Sequence, residues 1–367
     1  MKKILVLFCA VLSLQTFAQL TVPPNGGNKK AMVAEQIGLT NVTIQYHRPG
    51  VKGREDAIFG ELVPLGFNDP GFGTSKAAPW RAGANENTTI EFSTDVKIEG
   101  KPLAAGKYGF FVVPDPENCI IIFSKTNQSW GSYFYNDKDD ALRVIVTPKE
   151  KEDVTEWLTY EFTNQTPNTA VVQLVWEKWQ LPFKVEVDLD KTQMETFLRE
   201  LRTPPGFEWR AYNQAARYSL NHNYELSTGL MWAEQSITLP FIGEANFTTL
   251  STKAAILEKM GKADAAAVEM RAAIQKATTA ELHAYGRQLL TQKKVKEAME
   301  AFQLNYNNTP GTFTTNAGMA TGFSAMGNYK KALEYAKKAL ALAPDNASRE
   351  ALNKGIELLK EGKEMNL

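Results

Sequence analysis

The chain has 367 residues, 43% of them hydrophobic, with 41 basic and 41 acidic residues and a formal net charge of zero. That length exceeds one ordinary domain and suits two or three, and the apolar share suffices for packed cores. The charge balance leaves no global electrostatic argument for nucleic acid or an anionic membrane as partner.

The N-terminus reads MKKILVLFCAVLSLQTFAQ. Lys2 and Lys3 precede an apolar run, Ile4 to Leu14, and Thr16-Phe17-Ala18 ends in a small residue before Gln19. This is the pattern of a secretory signal peptide over residues 1–18, so an exported protein, periplasmic or extracellular, is expected. The run is too short for a membrane span. Cys9 lies inside it after Phe8, a poor place for lipidation. Cleavage leaves one cysteine, Cys119, in the apolar run CIIIFS. It is expected to be a buried small hydrophobe, and no internal disulfide is open to it.

Residues 19–187 read as a β-domain. Short runs with β-branched and aromatic bias follow one another: VTIQY, TTIEFS, VKI, KYGFFVV, CIIIFS, LRVIV, EWLTYEF, AVVQLVW and PFKVEV. Each has strand length and is bounded by turn residues. Asp115-Pro116-Glu117-Asn118 and Glu99-Gly100-Lys101 read as turns, the first closing a hairpin. No βαβ unit interrupts them, so an antiparallel β-sandwich or barrel is expected.

Residues 188–206 form a helical linker. Asp190 is the expected N-cap, Met194, Phe197, Leu198 and Leu201 share one face, and Thr203-Pro204-Pro205-Gly206 ends the helix. Residues 207–367 are helical and repetitive. The stretch from Phe313 to Asn346 resembles a tetratricopeptide repeat, a helix–turn–helix unit of about 34 residues. Ala320, Ala332 and Ala339 stand at its small positions, Gly327-Asn328-Tyr329 at its turn and Pro344 at its close. Gly286, Ala298 and Pro310 lie one repeat earlier, with Phe302 at the large aromatic position. Ala254, Gly261, Ala266 and Ala273 mark a further unit, and a degenerate one starts near Trp209. About four repeats are expected, capped by a polar helix over Ser348 to Glu361. The fold class is therefore α+β in two domains, a β-sandwich or barrel followed by a tetratricopeptide-like α-solenoid.

The stretch from Tyr46 to Glu86 is the candidate site. It is a long loop between two strand-like runs, rich in Gly and Pro and dense in polar groups. His47 and Glu86 are the acid/base candidates. Arg48, Arg54, Arg81 and Lys107 are candidates for holding an anion, with Lys52 beside them. Ion pairs to Glu55 and Glu86 that order the loop are the competing role for these bases. Trp130, in the turn-like QSWGSYFYND, is the candidate stacking surface, whereas Trp157 and Trp176 lie in strand-like runs and are expected in the core. No phosphate-loop glycine motif, zinc-ligand cluster or G-x-S-x-G elbow occurs, so no cofactor and no metal are expected. The acidic Asn136 to Asp140 stretch reads as a solvated turn.

YHRPGVKGR, IFGELVPLG, WRAGANENTTIEFS, IEGKPLAAGKYGFFVVP and IIFSKTNQSWGSY resemble a family of secreted bacterial proteins known as domain of unknown function 2911. The resemblance covers residues 23–187. It implies a signal peptide, this domain and, in some members, tetratricopeptide repeats behind it. It transfers no catalytic residue.

The leading expectation is an exported binding or scaffold protein. Its β-domain would take a small polar or anionic ligand, such as a glycan, and its repeats a peptide or protein partner. The alternative is a hydrolase of an envelope polymer, with His47 and Glu86 as acid and base and Arg54 and Arg81 holding the anion.

Overall fold

The computed structural model describes residues 27–365. The segment read as a signal peptide, residues 1–18 with Cys9, lies outside the described residues. The chain divides between Thr192 and Gln193 into two compact units.

The first unit holds β1 (Lys29–Ile37), β2 (Thr40–Arg48), β3 (Thr88–Phe92), β4 (Val96–Ile98), β5 (Lys101–Leu103), β6 (Gly106–Val113), β7 (Cys119–Ser124), β8 (Asp140–Val146), β9 (Lys149–Thr163) and β10 (Thr169–Glu186). They form two antiparallel sheets, ordered β1-β2-β3-β6-β7-β8 and β5-β4-β10-β9. Neither sheet closes on itself, so the unit is a sandwich and not a barrel. Alternate side chains of a strand point to opposite faces. Val42, Ile44, Ile90, Phe92, Phe110, Ile121 and Phe123 of one sheet thus share a core with Leu158, Tyr160, Val172, Leu174, Phe183 and Val185 of the other. The Glu99-Gly100 turn joins β4 to β5 with both residues at positive φ, the geometry that a two-residue hairpin favours.

Several details depart from the sequence reading. The runs AVVQLVW and PFKVEV are one strand, β10, with register shifts between Val175 and Trp179. Pro182 would break a ladder for want of an N–H. It lies past the last pair with β9, Gln180–Lys149, and before the first with β4, Val185–Ile98, so no bond is lost. Trp157 is 38% exposed and packs beside Gly50, not in the core, whereas Trp176 is fully buried. Cys119 is buried, and desolvation pushes its thiol up. In the acidic stretch Asn136 caps a short 3-10 turn, and Asp140 accepts from the Tyr135 hydroxyl and Arg143 Nε.

The helices are α1 (Leu189–Glu200), α2 (Trp209–His222), α3 (Leu226–Thr238), α4 (Phe247–Lys259), α5 (Ala263–Lys276), α6 (Thr279–Thr291), α7 (Val295–Asn308), α8 (Phe313–Ala325), α9 (Tyr329–Ala341) and α10 (Asn346–Lys360). Asp188, not Asp190, caps α1, because its carboxylate accepts from the Lys191 N–H at 3.0 Å. Met194, Phe197 and Leu201 pack on residues of α2 and α3, but Leu198 is exposed. From α2 to α9 successive helices pair as α2/α3, α4/α5, α6/α7 and α8/α9, which is four repeats, and α10 packs on α9. Capping boxes at Asn246/Thr249, Thr278/Glu281 and Thr312/Thr315 start α4, α6 and α8. Small residues let helices approach, and Ala298, Ala320, Ala332, Ala336 and Ala339 are all buried. Among the described residues no helix is long and apolar enough to cross a membrane.

Candidate functional site

The candidate loop leaves β2 and returns on β3, and these two strands pair directly. A loop with neighbouring ends must order its own backbone, and it does so with bonds to both sheets. Val51 N–H donates to Glu156 O, and Pro49 O accepts from Leu158 N–H. Trp80 exchanges both backbone bonds with Val112 on β6, at 2.8 and 2.9 Å. The buried Tyr160 hydroxyl donates to Ala82 O at 2.8 Å, and desolvation holds its pKa well above the ordinary tyrosine value. Val51, Ile58, Val63 and Ala82 then join the sandwich core.

The arginines of the stretch bind carbonyls. Arg48 Nε donates to Leu158 O at 2.8 Å. Arg54 donates from Nε to Val51 O (2.9 Å) and from Nη2 to Gly50 O (2.8 Å). Arg81 Nη1 donates to Asn85 O at 2.7 Å, and its guanidinium carbon lies 5.3 Å from the centre of the Tyr133 ring. Gly131 makes room for that guanidinium, since a Cβ there would collide with it. Among the described residues no carboxylate forms an ion pair with Arg48, Lys52, Arg54, Arg81 or Lys107. Ion pairing to Glu55 and Glu86 is therefore not what orders the loop. Carbonyl bonding fixes a guanidinium without neutralising it.

Two pockets result. The first, of about 330 Å³, gathers His47, Glu86, Lys107 and Trp130 with Gln45, Asn87, Thr89 and Asn127. His47 Nδ1 stands 3.1 Å from Glu86 Oε2. A carboxylate at that distance orients the imidazole ring. Trp130 is 58% exposed on this rim. The second pocket, of about 570 Å³, is lined by Lys52, Arg54, Arg81, Trp80, Tyr133 and Trp176 among others. Trp176 is 1% exposed, and its Nε1–H has no hydrogen-bond partner among the described residues. Arg48 lines neither pocket. The hydrolase arrangement needs Arg54 and Arg81 beside His47 and Glu86, and the structure puts them in the neighbouring pocket.

Ser132, Tyr133 and the floor Trp176 belong to the second pocket; in sequence Ser132 and Tyr133 stood out only as neighbours of Trp130 in QSWGSYFYND, and Trp176 only as a core residue. The helical unit adds a third groove, of about 500 Å³, on α2. Arg210, Asn213, Arg217 and Asn221 follow helical spacing and share one face, with Trp209, Tyr218 and Thr248 around them. Asn213 is 5% exposed, and its Oδ1 has no partner among the described residues.

The chain is thus an antiparallel β-sandwich with a loop-covered polar site, followed by a tetratricopeptide-like helical array. Residues 28–185, within the first unit, match the family described as "Protein of unknown function (DUF2911)". No curated protein matches the chain. Among solved structures the chain is similar to YrrB, described as a TPR (tetratricopeptide repeat) protein with an unusual peptide-binding site. The identity is 18%, covering 45% of this chain and 84% of that one, at a TM-score of 0.28. It is also similar to TTC0263, a thermophilic TPR protein in Thermus thermophilus, at 13% identity, 46% and 91% coverage and a TM-score of 0.30. MamA of AMB-1 shows 14% identity, 42% and 85% coverage and a TM-score of 0.26.

Proposed function

We propose that this is an exported binding protein with two ligand surfaces, an anion site in the β-unit and a peptide or protein site on the helical repeats. The observation that carries the first surface is the state of Arg54 and Arg81. Both are fixed by backbone carbonyls, both line one pocket, and neither meets a carboxylate. Oriented guanidinium groups suit carboxylate or phosphate oxygens. Thermal melts of the full chain with phosphate, sulfate, citrate and glucuronate test it. At least one should raise Tm, because a ligand at 100 times its Kd adds about 2.7 kcal/mol. Arg54→Met should abolish that shift. Arg48→Met removes an arginine that is also carbonyl-bound but outside the pocket, and should leave it intact. Equal effects of the two, or no shift with any anion, would overturn the reading.

For the second surface the α2 groove supplies two arginines, of which Arg210 also lies 3.6 Å from Glu208, and a buried amide oxygen with no partner among the described residues. Repeat arrays present such grooves to extended segments, and the charge favours an acidic one. Arg210→Glu/Arg217→Glu should weaken binding of an acidic model peptide by about tenfold or more, read by fluorescence anisotropy, and leave a basic peptide of equal length no weaker. An unchanged acidic-peptide affinity would remove α2 from the partner site.

Export rests on the signal-like N-terminus, and N-terminal sequencing of the protein recovered outside the cytoplasm should begin at Gln19. A second reading, hydrolysis, keeps one observation: His47 is oriented by Glu86 as a general base would be. His47→Gln would then abolish turnover of an envelope polymer without changing the melt.

A further inference from the structure

We propose that the His47 pocket and the Arg54–Arg81 pocket are halves of one extended site, and that its ligand is an acidic oligosaccharide. The proposal rests on the reading of the Arg54–Arg81 pocket as an anion site, and it names the ligand class and adds the second half.

Shared walls carry the argument. Asn85 lines the arginine pocket, and its chain neighbours Glu86 and Asn87 line the His47 pocket. Ser129 and Trp130 line the His47 pocket, and Ser132 and Tyr133, just beyond Gly131, line the other. Consecutive Cα atoms are about 3.8 Å apart, so the pockets adjoin along both strips. The strips are also bonded side by side. Asn87 N–H donates to Ser129 O at 3.1 Å, and Ser129 N–H donates to Asn87 Oδ1 at 3.0 Å. Arg81 sits where they meet, bonded to Asn85 O, under Tyr133 and against Gly131. Its uncompensated charge is thus placed at the junction.

The lining chemistry selects the class. Each half has an aromatic surface, Trp130 in one and Trp80 with Tyr133 in the other, and flat apolar faces suit the C–H faces of sugar rings. Each half has cations for carboxylates, Lys107 in one and Arg54 with Lys52 in the other. The side-chain amides of Gln45 and Asn85 offer both donors and acceptors to hydroxyls, and Asn127, whose Nδ2 donates to Lys107 O at 2.8 Å, offers its oxygen. The buried Trp176 Nε1–H adds a donor on the floor with no partner among the described residues. A peptide that adds a strand is disfavoured here, because that mode needs a free strand edge. β2 is already paired with β1 and β3, and β3 with β2 and β6.

Calorimetric titration of the full chain with galacturonate and its di-, tri- and tetramers tests this. Affinity should rise by about tenfold or more from monomer to tetramer as the second half becomes occupied. Trp130→Ala and Lys107→Ala should bring the tetramer back to the monomer's affinity. Both side chains are exposed, and a melt of each variant checks the fold. Arg54→Met should weaken every length. If the monomer binds and the tetramer binds no tighter, or if Trp130→Ala changes nothing, the extended site is wrong and the anion pocket stands. If no uronate binds but phosphate still raises Tm, the glycan class is wrong and the anion pocket again stands. Equal binding of oligoglutamate of the same length would also overturn the glycan class.

Discussion

Phe302→Ala is expected to lower the stability of the helical unit by about 3–5 kcal/mol, the range for truncating a buried aromatic. Phe302 on α7 is 1% exposed. Its ring lies against three glycines. A Cβ on Gly286 would stand 2.5 Å from Phe302 Cε1, one on Gly318 2.8 Å from Cδ1, and one on Gly322 3.0 Å from Cδ2. Walls without side chains cannot lean into the space that the ring vacates. The cavity therefore persists, and the loss belongs at the upper end of the range. Urea denaturation followed by far-UV circular dichroism measures it. A loss below about 1 kcal/mol would mean that α6, α7 and α8 close up around the gap. The converse change should also cost stability. Gly286→Ala gains about 1 kcal/mol of helix propensity, but the overpacking against Phe302 costs about 1–3 kcal/mol.

Trp176→Ala is expected to cost about 3–5 kcal/mol in the β-unit and to loosen the loop above it. Trp176 stacks on Trp80 with ring centres 5.9 Å apart and meets Phe59 edge-on at 6.0 Å. Phe59 in turn stacks on Trp179 at 4.2 Å. Trp80 and Phe59 belong to the loop, so this one buried side chain anchors both. Trp176→Phe makes a sharper test. It keeps most of the ring and deletes an N–H that no group among the described residues accepts, so the cost of a lost hydrogen bond, about 1 kcal/mol, should not arise. Trp157→Ala is the control, and with a half-open ring it should cost much less. If thermal melts ranked Trp157→Ala with Trp176→Ala, the loop would depend on β9 and not on the aromatic stack.

Where a short run of β-branched and aromatic residues is buried almost throughout, the strand could be read directly: TTIEF, GKYGFFVV and CIIIFS are such cases. β1 escaped because it is an edge strand whose residues, Lys29, Lys30, Glu35 and Gln36 among them, are mostly open to solvent. β10 was split in two because Pro182 looks like a breaker unless the ladder's end is known. Trp157 and Trp176 have the same local pattern, and only the placement of the loop exposes one and covers the other. The site was legible as a dense loop but not as pockets. His47 meets Glu86 because β2 pairs with β3, whereas the loop's own bonds place Arg54 and Arg81 in the neighbouring pocket. Arg48 and Arg54 look alike in sequence, yet one bonds Leu158 O behind the site and the other lines it. The repeat units were readable where small residues recur in register. The α2 groove lay in the most degenerate unit, where no register could place Asn213 on a face.

Four non-glycine residues of the loop, Lys52, Asp56, Ala82 and Asn85, have positive φ, from 48° to 62°. Such conformations cost of order 1 kcal/mol or more each, and they persist only when the surroundings over-determine them. Ala82 is fully buried, and its carbonyl accepts from both Thr88 Oγ1 and the Tyr160 hydroxyl. Asn85 is held through its own carbonyl by Arg81. The strain is thus met when the chain folds and not when a ligand arrives. A ligand of this loop would find its partners already in place, so association would proceed as a simple second-order step whose observed rate grows linearly with ligand concentration, without the plateau that a gating motion imposes.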